Sequence, residues 1–218
     1  MSQLQYLHAQ DAKSKDAPLI IMFHGYGSNK EDLFGLKSLF NKKANTISVQ
    51  APIDLSYLGG YGSYAWFNLD FLPTGIQYKI TEVDQAIAKA IEFVEYAKSK
   101  YATTKSKIIV LGFSQGAMLC HAVTLKAPKL VDASACLSGR MVDELFHNQH
   151  DFSKLKNHPM FISHGTEDEV IPINVGGRGI KKYYADKGLD ITYQEYRMAH
   201  GIDFDCQRDL VQWFNKLV

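Results

Sequence analysis

Ser114 lies in the run Gly112-Phe113-Ser114-Gln115-Gly116. A serine hydroxyl is a poor nucleophile at neutral pH. It becomes a good one when an imidazole takes its proton and a carboxylate orients that imidazole. The G-x-S-x-G spacing suits this chemistry because it describes a sharp turn that holds the hydroxyl at the top of a sheet. Glycines beside the serine let two backbones approach closely. The reaction implied is acyl transfer: attack on a carbonyl carbon, with the resulting oxyanion held by two backbone N–H groups.

Such a turn works only between a strand and a helix, and the flanking residues predict both. Residues 107–111 (KIIVL) form an apolar β-branched run, and residues 117–125 (AMLCHAVTL) read as a helix. The pattern continues along the chain. A weakly alternating edge strand is expected over 3–7, and further strands over 18–23, 46–50, 131–137, 160–163 and 191–196. Helices are expected from Ser28, with a capping-box spacing to Glu31, and over 81–101, 174–187 and 209–217. The 81–101 helix would bury Val83, Ile87, Ala90, Ile91 and Val94 on one face. Strands alternating with helices predict an α/β fold with a mostly parallel central sheet and helices on both faces, in one domain over 1–218.

In α/β-hydrolases the serine, the acid and the histidine follow in that chain order, each after a strand. Of eight histidines, His8 and His121 fall within expected elements, while His24, His147, His150, His158 and His164 precede the expected acid. His200, after the last strand and before the terminal helix, remains as the base. The acid is expected past the penultimate strand, where Glu167, Asp168 and Glu169 are all chemically capable, and the order favours Asp168. One oxyanion N–H is expected from Gln115, and the other from the loop His24-Gly25-Tyr26-Gly27.

Residues 55–72 break the pattern with three glycines among Tyr57, Tyr61, Tyr64, Trp66, Phe67 and Phe71. A long irregular stretch inside a domain is commonly functional. This loop is expected either to line the acyl site as a movable cover, with Trp66, Phe67 and Phe71 against substrate, or to pack permanently on the core. Its Trp and Tyr content also suits transient contact with a membrane surface. Fewer than 25 residues separate Gly139 from Pro159, too few for a cap domain, although a short helix fits. The His147–His150 pair, the glycines at 60–62 and those at 176–179 complete no metal, dinucleotide or phosphate motif.

With 46% hydrophobic and 22% charged residues in 218, the composition is that of a globular chain. A net charge of +1 argues against nucleic-acid binding. Three widely spaced cysteines predict reduced thiols, buried at Cys120 and Cys136. The absence of a charged-then-apolar start at Met1 gives a cytoplasmic expectation.

Five blocks together resemble the phospholipase/carboxylesterase family of small α/β-hydrolases, which includes acyl-protein thioesterases. They are His24-Gly25-Tyr26-Gly27, Trp66-Phe67, residues 111–116, residues 164–172, and Arg197-Met198-Ala199-His200. The resemblance implies Ser114, Asp168 and His200 as the triad and the Tyr26 and Gln115 amides as the oxyanion hole. It implies ester, lysophospholipid or thioester substrates, whether small molecules or acylated lipids and proteins, and neither metal nor organic cofactor. Tyr26 stands where relatives often have Leu, Ser28 where they have an acid, and Asn68 where Asp often follows the aromatic pair. Arg140-Met141 is also unusual. A dienelactone-type hydrolase or a peptidase of this fold is the alternative, although the former usually carries cysteine at the elbow. A non-catalytic ligand-binding protein is a further one.

Overall fold

The computed structural model describes residues 4–40, 42–72, 75–147 and 149–218. The run Leu-Ile-Ile-Met-Phe explains the centre of the fold. A strand has period two, so Leu19, Ile21 and Phe23 point to one face and Ile20 and Met22 to the other. Both sets are buried. Such a strand must be covered on both sides, as in a parallel sheet sandwiched by helices.

In chain order the elements are β1 (Tyr6–Ala9), β2 (Leu19–Phe23), α1 (Lys30–Phe34), α2 (Lys37–Phe40), β3 (Asn45–Val49), β4 (Ile53–Asp54), β5 (Tyr64–Ala65), β6 (Asp70–Leu72) and β7 (Gly75–Gln77). Then come α3 (Ile80–Tyr101), β8 (Ile108–Phe113), α4 (Gln115–Lys126), β9 (Ala133–Leu137), α5 (Asp143–His147), β10 (Met160–Gly165), α6 (Gly177–Asp186), β11 (Thr192–Tyr196) and α7 (Phe204–Asn215). Seven strands form one sheet in the order β1-β3-β2-β8-β9-β10-β11. Only β1 runs antiparallel, against β3. This is the α/β-hydrolase arrangement expected from the sequence.

Two cores follow from the alternation. Leu19, Ile21, Phe23 and Val110 pack with α3, α4 and Tyr184 of α6. Ile20, Met22, Ile109 and Leu111 pack with Phe40 and with Leu210, Trp213 and Phe214 of α7. Helix α4 is buried along nearly its whole length, which holds the residue before it rigidly in place.

Boundaries shift where caps decide them. The edge strand sits at Tyr6–Ala9 rather than 3–7, of which residue 3 lies outside the described residues. Asn29, not Ser28, caps α1 by accepting from the Glu31 N–H, while the Ser28 hydroxyl donates to Asp32. Asp203 accepts from the Cys206 N–H and starts α7 five residues before Asp209, where the apolar pattern begins. The 55–72 stretch is not structureless. It carries a 3-10 turn at Ser56–Leu58, β5 paired with β4, and β6 paired with β7.

Two buried histidines tie stability to pH. His158 is held by the Ser134 hydroxyl at 2.9 Å, and His24 lies under the end of β2. Burial pushes both down to about 4. The unfolded chain therefore takes up these protons below pH ~6.5, while the folded chain refuses them until pH ~4. Stability falls as pH drops through that window, by on the order of 3 kcal/mol per histidine once complete. The urea midpoint should decline steadily from pH 7 to 4, and His158→Gln should remove a measurable part of the decline. A flat profile in the parent protein would contradict this account.

Candidate active site

Ser114 joins β8 to α4 with φ 53° and ψ −115°, a backbone conformation that non-glycine residues rarely adopt. Its neighbours make the turn possible. A Cβ on Gly116 would lie 1.8 Å from the Phe23 carbonyl oxygen, and one on Gly112 would lie 2.2 Å from the Gly116 oxygen. Both positions therefore need glycine for close approach. The Ser114 N–H donates to Leu137 O at 2.9 Å, fixing the turn to β9.

His200 reaches the serine from the loop after β11. That loop is stitched to the end of β10: Thr166 N–H donates to Tyr196 O and Glu167 N–H to Met198 O. Ser138 Oγ donates to Gly201 O from the third side. His200 Nδ1 stands 2.8 Å from Asp168 Oδ2, and Nε2 stands 2.9 Å from Ser114 Oγ. With Nδ1–H donating to the carboxylate, Nε2 is free to accept from the serine hydroxyl.

Of the three consecutive acids, only Asp168 is buried. Its Oδ1 accepts from the Val170 and Ile171 N–H groups at 3.0 and 2.8 Å. Glu167 points outward to Arg197, and Glu169 is exposed. The sequence reading missed one residue of this assembly. His164 is fully buried, with Nε2 2.8 Å from Ile171 O and 3.2 Å from Asp168 Oδ2. Its Nδ1 accepts from the Gly177 N–H, so Nε2 carries the proton and donates towards both oxygens. Burial lowers its proton affinity below that of a free histidine and favours this neutral form. His164 thus helps to hold Asp168. Its sequence signal was its place at a strand end four residues before the acid.

Tyr26 and Gln115 flank the serine. A Cβ on Gly25 would be 3.3 Å from Ser114 Cβ, so the Gly25-Tyr26 backbone runs directly beside Ser114. Neighbouring amides are engaged: Gly27 N–H with Tyr64 O, and Ser28 N–H with Gly25 O. Among the described residues no backbone acceptor takes the N–H of Tyr26 or of Gln115. His24 supports the loop through Nδ1–H to Gly25 O, while its Nε2 accepts from the Ala51 N–H.

Trp66 and Phe67 do not sit against a substrate space. Both are in the core, Trp66 at 2% exposure. The Trp66 indole N–H donates to His24 O at 2.9 Å. The Gln115 side chain accepts from Trp66 N–H and donates to Phe67 O. For these two aromatics the packing follows the second expectation, burial in the core, where they brace the backbone beside Gln115. Polar backbone in a buried segment must be paired, and here the side chain of one oxyanion candidate does the pairing.

Phe71 does face the open space. It lines a cavity of about 120 Å³ with Tyr26, Met118, Arg140 and Val170, into which Ser114 and His200 also open. Its ring meets that of Tyr26 edge-on at 5.7 Å.

The likeness to known proteins runs the length of this fold. Acyl-protein thioesterase 1 of Kluyveromyces lactis is 29% identical, covering 95% of this chain and 93% of the relative. The solved carboxylesterase of Bacillus cereus superposes with a TM-score of 0.82 at 18% identity, covering 99% of this chain and 95% of that one. Esterase PE8 superposes with a TM-score of 0.81 at 22% identity, with both chains fully covered. The family model described as phospholipase/carboxylesterase matches residues 4–218. By that match across nearly all of its length, the chain belongs to the phospholipase/carboxylesterase family.

Proposed function

We propose that Ser114, His200 and Asp168 are the catalytic triad with which this member of an ester-hydrolase family cleaves carboxylic esters or thioesters. The observation that carries the reading is the continuous hydrogen-bonded line from Ser114 Oγ through His200 to a buried Asp168. His200 Nε2 takes the hydroxyl proton as Ser114 Oγ bonds to the carbonyl carbon. The Tyr26 and Gln115 N–H groups stabilise the oxyanion, and Asp168 stabilises the imidazolium. His200 then protonates the departing alcohol or thiol. A water molecule, deprotonated by the same imidazole, releases the acid and restores the serine.

The apolar walls of the cavity suit an acyl chain of a small ester or of an acylated lipid or protein. Phe71 (60% exposed) and Val170 leave apolar surface around its mouth. The paired strands β6 and β7, the first of which ends the 55–72 stretch and carries Phe71, are therefore the part suited to cover the site and touch a lipid surface. Trp66 is too deeply packed to report on that motion. Among the described residues no helix is long and apolar enough to cross a membrane. Three buried free cysteines accord with a reducing, cytoplasmic setting.

The reading is tested with a series of 4-nitrophenyl esters of increasing chain length beside a palmitoyl-peptide thioester. The expected result is saturable turnover of at least one class, together with covalent labelling of Ser114 by a fluorophosphonate. Absence of both turnover and label would overturn the reading.

A further inference from the structure

A charged side chain stands in this otherwise largely apolar cavity. Arg140 lies three residues beyond the end of β9 and lines the same space as Ser114 and His200. Its side chain is 15% exposed. One end of the guanidinium, Nη2, pairs with Asp143 Oδ1, but Asp143 is itself 61% exposed, and solvent weakens such a pair. The Nε–H is buried and has no hydrogen-bond partner among the described residues. A buried donor left unpaired is unfavourable, and native proteins seldom tolerate one without a use for it.

The neighbouring wall is polar as well. Tyr78 lines the cavity, and its hydroxyl accepts from the Asp143 N–H at 3.0 Å. The rest of the lining includes the apolar Leu69, Phe71, Met118 and Val170. A few polar groups in an apolar pocket orient a ligand, and a guanidinium's fork of donors matches an anionic oxygen pair.

We infer that Arg140 is a specificity-determining residue that binds an anionic group, carboxylate or phosphate, on the ester substrate. The inference rests on the hydrolase reading above and narrows it to substrates carrying a negative charge within reach of the scissile carbonyl. The anion binds the part of the guanidinium that borders the cavity and shares it with Asp143. Neutral long-chain esters gain nothing from this group.

The experiment compares kcat/KM for matched pairs in two arms. In the first, mono(4-nitrophenyl) glutarate is set against 4-nitrophenyl pentanoate, which places the charge on the acyl group as a carboxylate. In the second, 1-butyrylglycerol 3-phosphate is set against 1-butyrylglycerol, which places it on the alcohol as a phosphate. The expected result is a preference of at least about tenfold for the anionic member in one arm. Arg140→Gln should erase that preference and Arg140→Lys should keep part of it. No preference in either arm overturns the inference. So does an equal fall for charged and neutral members in Arg140→Gln, which is the mark of a merely structural role.

Binding of glutarate and of glycerol 3-phosphate to Ser114→Ala, with and without Arg140→Gln, is measured calorimetrically alongside. Arginine-dependent binding there supports the anion subsite even if hydrolysis fails, and no binding of either overturns it. Failure of the hydrolase reading is seen separately, as a parent protein that the fluorophosphonate does not label.

Discussion

A Ser114→Ala variant is expected to lose about 10⁶-fold in kcat for ester hydrolysis while keeping its fold. The two halves of this expectation have separate causes. The hydroxyl is the group that would form the acyl-enzyme, and His200 and Asp168 have nothing to activate once it is gone. Residues acting as one unit fail together, so removing His200 as well should add little. Residual turnover would come from the oxyanion donors and from binding. The fold should survive because, among the described residues, Ser114 Oγ bonds only towards His200 Nε2, a half-buried ring. The turn itself is held by the Ser114 N–H to Leu137 O and by the two crowded glycines. Initial rates, fluorophosphonate labelling and a melting curve check the expectation. A variant that folds normally and retains parental turnover would refute the mechanism.

The second large effect is expected at Asp168. Asp168→Asn should lower kcat by roughly 10⁴-fold. The carboxylate accepts from two backbone N–H groups through Oδ1 and from both His164 and His200 through Oδ2. An amide offers one acceptor atom and one NH₂ group, so it leaves some of these donors facing another donor. It also favours the His200 tautomer with the proton on Nε2, which cannot take a proton from Ser114. Glu167→Gln and Glu169→Gln should stay within about threefold of the parent, since both side chains are exposed. Measured kcat values for the three variants decide which acid serves His200. A collapse at Glu167 or Glu169 with Asp168→Asn intact would move the acid to a neighbour.

Much of this was legible before any coordinates. The runs at 18–23 and 107–111 are apolar on both faces, so they had to be central strands covered by helices. The glycines around Ser114 announced a close approach. Chain order, together with the expected elements at His8 and His121, separated His200 from the other histidines. These features are local in sequence, or follow from the order in which a right-handed parallel sheet presents its loops.

The aromatic loop was not legible in the same way. Trp66, Phe67 and Phe71 have the same composition signature, yet two lie in the core and one at the cavity mouth. Nothing in residues 55–72 states that the Gln115 side chain, 48 and 49 positions away, will claim the backbone on which the first two sit. Helix starts went the same way, since Asn29 rather than Ser28 caps α1, and Asp203 rather than the apolar pattern starts α7.

The sequence by itself determined the layered α/β architecture and the chemical types that can meet at Ser114, because strand periodicity, turn sterics and loop order act over short stretches of chain. Only the tertiary structure decided that Asp168 alone of three acids is buried, that His164 holds it, and that Arg140 enters the cavity with a donor unpaired. Each of these is a contact between residues brought together by packing, and burial and hydrogen-bond partners are properties of that packing rather than of neighbouring residues.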